Sequence, residues 1–341
     1  MSNPQATRPH QPTLEVPSSN GNGHRSVRDL SDGDSVSGAF AVRERELRQR
    51  RDGSDWLRLV LADRTGSMEA VAWDDVAQCF EAASPGSVVL VRGRFAVHQR
   101  YGPKLTIEAI RPAREGEYDP GQLVQGPPVS AERLEADLRE LIATVQNPHL
   151  RQLLDRFFDP RSPRWPRFRD APAAKYYHQA YRHGLLDHTL SVAHSVGAAA
   201  ALFPGIDRDV AVTGALLHDI GKTEAYNDDL LAIELTDAGR LQGEIPLGYY
   251  VVRREIERIE GFDRELAQAI LHIILSHHGA LENGSPVVPA TREATLVHML
   301  DNLGGRLGSF DRIERALRDG EAWSRFDPGI ESAAYFGSRA A

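Results

Sequence analysis

Four separated stretches in the second half of the chain set imidazole and carboxylate groups among apolar residues. Gly184-Leu185-Leu186-Asp187-His188-Thr189 opens a helical run with His188 near its start. Ala215-Leu216-Leu217-His218-Asp219-Ile220-Gly221-Lys222 places His218 and Asp219 side by side at the end of an apolar helix. Leu275-Ser276-His277-His278-Gly279 ends another, and Leu300-Asp301-Asn302 puts a carboxylate inside a further apolar segment. Ionisable groups embedded in Leu, Val and Ala are costly to bury unless they are paired or metal-bound. Neutral imidazoles with carboxylates suit Mn²⁺, Fe²⁺, Co²⁺ or Zn²⁺. Asp219 is well suited to bridge two such ions, and a pair ~3.5–4 Å apart can clamp the attacking and leaving oxygens of a phosphodiester. Lys222, three residues on, can point its ammonium at the scissile phosphate and stabilise developing charge, or serve as an ordinary helix C-terminal cation.

These groups need helices to carry them, and the pattern supplies them. Leu134, Leu138, Leu141, Ile142 and Val145 recur at helical spacing behind a Ser130 cap, with a stop at Asn147-Pro148. Leu150, Leu153, Leu154, Phe157 and Phe158 mark a second helix. Further helical runs are expected near 184–203, 207–221, 246–260, 263–277, 291–304 and 310–319. The isolated histidines His194, His272 and His298 read as structural, although His298 shares a helix face with Asp301 and can serve as its partner.

The first half reads differently. Strands are expected from Val36, over Trp56 to Leu61, Met68 to Trp73, Val88 to Gln99 and Lys104 to Arg111. Asp63-Arg64-Thr65-Gly66-Ser67 supplies a turn, and Asp74-Asp75 caps a short helix through Cys79 and Phe80. Five strands with a helix after the third is the order of an OB-fold barrel, a common oligonucleotide binder. Trp56, Trp73, Phe95, His98 and Tyr101 are the candidates for base stacking. Arg43, Arg45, Arg48, Arg50, Arg51, Arg92, Arg94, Arg100 and Lys104 are candidates to track a phosphate backbone. Against this, Trp73 and Phe95 suit a barrel core, and Arg43 to Arg51 alternates with Glu44 and Glu46 as a solvated hairpin would. Tyr101 sits at a turn beside Arg100 and reads as exposed.

The fold class expected is therefore multidomain: an N-terminal all-β OB-fold barrel followed by an all-α domain. The boundaries read as a disordered tail over 1–29, a barrel over 30–114, a Pro/Gly-rich linker over 115–129, a helical domain over 130–320 and a C-terminal tail over 321–341. Within 341 residues of net charge −8, residues 36–114 hold 13 Arg and Lys against 10 Asp and Glu, so a mildly basic module precedes an acidic one. No run approaches the ~20 apolar residues that span a bilayer, and the first 30 residues lack a signal core. A single cysteine, Cys79, excludes a disulfide framework and a Cys-rich zinc module. A soluble cytoplasmic protein is expected.

The order His188, His218-Asp219, Asp301 is that of the HD phosphohydrolase superfamily, an all-α fold. The run Ala173-Ala174-Lys175-Tyr176-Tyr177-His178-Gln179-Ala180-Tyr181, the stretch from Gly184 to Ala193, Leu217 to Lys222, Ser276-His277-His278-Gly279 and the Ala294 to Asp301 helix resemble the YhaM-type 3′→5′ exoribonuclease family. In the barrel half, Leu59-x-Leu61-x-Asp63-x-Thr65-Gly66 and Ala70-x-Ala72-Trp73 resemble nucleic-acid-binding OB domains. The resemblance covers roughly residues 30–310. It implies an OB domain before an HD domain, and a metal-dependent exonuclease trimming single-stranded RNA or DNA from the 3′ end. It further implies one or two divalent ions (Mn²⁺, Fe²⁺ or Co²⁺) held by His188, His218, Asp219, Glu244, His277, His278 and Asp301. Asp219 and Lys222 take the catalytic roles, and Lys175, His178, Tyr101, Arg100, Trp56 and Arg94 are expected on substrate. Glu244 stands where the family carries His in Gly-x-(Leu/Ile)-x-Gly-His-Ile, here Gly239-Arg240-Leu241-Gln242-Gly243-Glu244-Ile245. His183 stands where the family tends to Gly. Two other readings stay open. One is a phosphohydrolase of mononucleotides or cyclic dinucleotides. The other is a nucleic-acid-binding protein with a weakened metal site. Homo-oligomerisation is compatible with either half.

Overall fold

The computed structural model describes residues 26–98, 102–123, 126–175, 179–317 and 320–337. The chain divides into two compact units, meeting in sequence at Val124 and Gln125.

In the first unit, β1 (Ser35–Gln49), β2 (Asp55–Asp63), β3 (Gly66–Ala72), α1 (Val76–Ala82), β4 (Val88–His98) and β5 (Gly102–Pro112) follow in chain order. The strands close in the order β1-β2-β3-β5-β4. β1 is long enough to pair with β2 through one half and β4 through the other, bending at an irregularity between Val42 and Glu44. Among the described residues only the β3–β5 pairing is parallel, from Glu69 opposite Lys104 to Val71 opposite Thr106. Alternation explains the core. Leu57, Leu59 and Leu61 point inward from β2 and meet Phe40, Ala70, Val89, Phe95 and Leu105, all buried. The Asp63 carboxylate accepts from the Thr65 and Gly66 amides and the Thr65 hydroxyl, and so builds the β2–β3 turn.

Several expectations change here. Val27–Asp29, read as tail, form a 3-10 turn whose first amide donates to Asp63. Asp75 precedes α1 in a left-handed conformation and makes no side-chain cap. Residues 119–123, read as linker, hold a turn capped by Asp119, bury Leu123, and accept a hydrogen bond at the Gln122 carbonyl from the Arg64 amide.

The second unit contains α2 (Ala131–Ala143), α3 (Pro148–Phe158), α4 (Trp165–Asp170), α5 (Gly184–Ala200), α6 (Arg208–Leu217), α7 (Lys222–Ala225), α8 (Asp237–Gln242), α9 (Glu244–Ile256), α10 (Arg264–Ser276), α11 (Arg292–Ala316), β6 (Trp323–Asp327) and β7 (Ser332–Tyr335). The starts obey local chemistry: the side chains of Ser130, Asn147, Asp207, Asp263 and Thr291 each accept from an amide of the first turn. Asn147 caps α3 and does not merely stop α2. α6 is buried from Val210 to Leu217, which makes it the centre around which α5, α10 and α11 pack.

The helices expected at 291–304 and 310–319 are one 25-residue helix, α11, which runs through Gly304, Gly305 and Gly308. α11 packs on α5 and α6 and stays continuous although each interior glycine costs roughly 1 kcal/mol. α4 and α8, six residues each, are too short to show a period. The expected C-terminal tail contains the antiparallel β6–β7 hairpin. Among the described residues no helix is long and apolar enough to cross a membrane.

Candidate metal centre

Helix ends carry most of the functional side chains. His188 lies in the second turn of α5. His218 is the C-cap of α6 and His277 the C-cap of α10, followed at once by Asp219 and His278. Gly243, at φ 79°, turns the chain between α8 and α9 and so sets Glu244 at the first position of α9. Asp301 projects from the middle of α11.

Backbone carbonyls left free at helix ends orient the rings. His218 donates from Nδ1 to the Ala215 carbonyl at 2.7 Å, and His277 to the Ile274 carbonyl at 2.8 Å. His278 Nδ1 bonds the Asn283 carbonyl at 2.9 Å, and His188 Nδ1 the Gln179 side-chain oxygen at 3.1 Å. All four rings therefore present Nε2 inward, as metal-ligating histidines do. His298, proposed as a partner of Asp301, instead bonds the His277 carbonyl. His272 accepts from the Ala290 amide, and His194 is exposed, which leaves both structural. His183 holds φ 67° before α5 and bonds the Arg169 carbonyl.

The inward atoms form two groups. In one, His188, His218 and Asp301 bring ligand atoms within 4.8 Å of one another; in the other, Asp219, Glu244, His277 and His278 do the same. Asp219 joins them. Its Oδ2 lies 3.2 Å from His188 Nε2 and 3.4 Å from His218 Nε2, while its Oδ1 faces His277 Nε2 at 3.5 Å. Asp301 Oδ1 is 3.1 Å from His188 Nε2, and Glu244 Oε1 is 3.5 Å from His278 Nε2. The Nε2 atoms of His188 and His218 stand 3.3 Å apart, a spacing that two lone pairs hold only with a proton or cation beside them. Asp219 Oδ1 and His277 Nε2 are buried with no hydrogen-bond partner. Polar atoms left so are expensive, and a shared cation would satisfy both.

The electrostatics agree. Burial works against the charge on His218, yet Asp219 and Asp301 push its pKa up to about 10. His188 is raised against the same burial by the same two carboxylates. Burial opposes ionisation of Asp219 too, but Lys222 and the imidazoles hold it well below the usual carboxylate range; His188 and His218 do the same for Asp301. Burial and the neighbouring His277 lower His278. The cluster draws positive charge, which is what a divalent ion provides. The donor set fits such ions.

The other candidates fall in different places. Lys222 donates to Asp219 Oδ2 at 2.7 Å. Lys175 pairs with Glu234 at 2.6 Å. His178, Arg100 and Tyr101 lie outside the described residues. In the barrel, Trp73, read as core, is 41% exposed because it follows the last paired residue of β3. It stacks on Trp56 with ring centroids 5.0 Å apart, and the guanidinium groups of Arg50 and Arg48 cover the two indoles. Phe95 is buried as expected, Arg94 is exposed on β4, and Arg48 to Asp55 form a solvated hairpin. Sequence reasoning passed over Gln179, although it lies inside the run that carries Lys175 and His178. It also gave no role to Gly221, where a Cβ would lie 2.0 Å from the Glu244 carbonyl oxygen and 2.5 Å from the Gly248 nitrogen. That close approach holds α9 against the turn bearing Asp219.

Residues 185–305 match the family model for the HD domain, and residues 41–113 that for an OB-fold nucleic acid binding domain. The chain is 32% identical over 276 residues to the 3′-5′ exoribonuclease YhaM of a Geobacillus species, which covers 80% of this chain and 83% of the relative. The YhaM of Bacillus subtilis is 30% identical over 80% of this chain and 86% of its own length. That of Bacillus velezensis is 28% identical over 86% and 92%.

Proposed function

We propose, from the premise that this chain belongs to the YhaM family of 3′-5′ exoribonucleases, that its substrate is single-stranded RNA and that the seven clustered side chains hold two divalent ions. The protein is a metal-dependent 3′→5′ exonuclease acting on nucleic acid. The observation that carries the assignment of residues is Asp219. One of its oxygens faces His188 and His218, and the other faces His277 with neither of that last pair otherwise bonded.

Mn²⁺, Fe²⁺ or Co²⁺ suits this mixed imidazole and carboxylate set. When bound, such ions supply Lewis acidity toward the phosphodiester and a water-derived nucleophile at neutral pH. His188, His218 and Asp301 form one pocket, His277, His278 and Glu244 the other, and Asp219 bridges them. The carbonyls behind His218, His277 and His278 fix the rings, so little reorganisation accompanies binding. Lys222 is held by Asp219, and its remaining N–H donors are available to a phosphate oxygen as charge builds. The carboxylates of Asp219 and Glu244 keep its ammonium charged although burial disfavours it. The Trp56–Trp73 pair and its arginines hold upstream nucleotides by stacking and charge, independent of sequence.

A 5′-labelled oligoribonucleotide incubated with Mn²⁺ tests the reading. The expected result is a ladder shortening from the 3′ end, absent with Asp219→Ala and blocked by a 3′-phosphate. Inert strands beside turnover of mononucleotides or cyclic dinucleotides would overturn it.

A further inference from the structure

The two pockets around Asp219 are unequal. His188, His218 and Asp301 have side chains 7%, 0% and 16% exposed, whereas Glu244 and His278 are 21% and 28% exposed. The first pocket is enclosed between α5, α6 and α11, and the second opens toward solvent at the start of α9. The second also contains two buried atoms without a hydrogen-bond partner, Asp219 Oδ1 and His277 Nε2, so it is the less satisfied of the two by protein atoms alone. A fixed ammonium, Lys222, lies 2.7 Å from Asp219 Oδ2, the oxygen that faces the inner pocket, and feels the charges of Glu244 and Asp301 as well. Lys222 therefore repels a cation in either pocket, and in the outer one Glu244 is the carboxylate that offsets it. Carboxylate oxygen favours Mn²⁺ and Mg²⁺, and imidazole favours Zn²⁺.

We propose that Glu244 makes the outer pocket an exchangeable, oxygen-selective ion site, tuned toward Mn²⁺ or Mg²⁺ and away from Zn²⁺, while the inner pocket retains its ion. The proposal rests on the two-ion reading above. It assigns ion choice to one side chain on the rim of the centre, and its readout is bound metal, independent of turnover.

Equilibrium dialysis of the full chain against MnCl₂ or ZnCl₂, with elemental analysis and manganese paramagnetic resonance, tests it. The parent protein should bind two Mn²⁺, release one on dialysis into metal-free buffer, and show a coupled Mn–Mn signal. Glu244→Gln should weaken only the second ion, by about tenfold or more, and leave an isolated six-line signal. Glu244→His should shift the Mn²⁺ to Zn²⁺ preference of that ion toward Zn²⁺ by about tenfold or more. Glu244→Asp, which keeps the charge, should preserve the preference. Loss of both ions together in Glu244→Gln, or an unchanged metal preference in Glu244→His, would sink the assignment to Glu244. A parent chain that binds neither metal would instead remove the two-ion reading beneath it.

Discussion

The barrel sets most of its charges at the surface, several of them paired, whereas the helical unit buries a cluster of ionisable groups and leaves Asp219 Oδ1 and His277 Nε2 without a hydrogen-bond partner. Arg58 shows the first habit, bonded on the barrel surface to Glu44 and Glu69. Even the buried carboxylate of Asp63 is fully engaged by amides and a hydroxyl of its own turn. Asp219 shows the second habit: 3% exposed, with one oxygen facing an imidazole it does not hydrogen-bond. A surface of paired arginines and stacked indoles can hold a polyanion by contacts that form and break singly. A buried, under-satisfied cluster requires a particular guest. Binding of strands should therefore be graded and salt-dependent, and chemistry all-or-none.

Four experiments can break or sharpen that contrast. Asp219→Ala removes the one carboxylate common to both pockets. Nuclease activity should fall by at least about a thousandfold with both ions lost, while strand affinity measured by fluorescence anisotropy stays put. Affinity falling in parallel would mean the two units are not separable in function. Gly221→Ala should follow. The new methyl group meets the Glu244 carbonyl and the Gly248 amide, so α9 must shift, with stability lower by about 1–3 kcal/mol in chemical denaturation and the second ion weakened. The double change Trp56→Ala, Trp73→Ala should weaken oligonucleotide binding by about 1–3 kcal/mol per displaced base with metal content unchanged. Altered metal content would contradict the division drawn here.

The smallest effect is that of pH. The His218 imidazole is raised to about 10 in the metal-free protein. Metal uptake must displace that proton, so affinity should fall as pH is lowered, visible as buffer-dependent heat in calorimetry. The same shift stabilises the metal-free fold in full below about pH 6.5, the unperturbed imidazole value. That contribution is lost as pH rises through about 10. Melting temperature in chelator should decline over that window, and the metal-loaded protein should not follow it.

Much of this was legible in the chain. The five-strand order with its helix, the helical second half, and the stretches around His188, His218-Asp219, His277-His278 and Asp301 all lie where spacing put them. What escaped has local causes. Gly304 and Gly305 break the helical signal in the sequence, whereas α11 runs through both as one helix packed on α5 and α6. Alternation points Trp73 to the core because it cannot say where a strand stops pairing; Ala72, opposite Leu57, is the last rung. Gln179 went unnoticed since a glutamine acquires a role only when a histidine ring arrives beside it.

The sequence by itself determined the chemical kinds of donor and the helix ends that bear them, because caps, turns and apolar periods are set by residues within a few positions of one another. Only the tertiary structure decided that Asp219 faces two groups of imidazoles at once, that Glu244 reaches His278, and that Asp219 Oδ1 and His277 Nε2 remain unsatisfied. Those relations join residues 188 and 301, or 244 and 278, through the packing of α5, α6, α9, α10 and α11. No local spacing rule encodes the distance between side chains that only a shared core brings together.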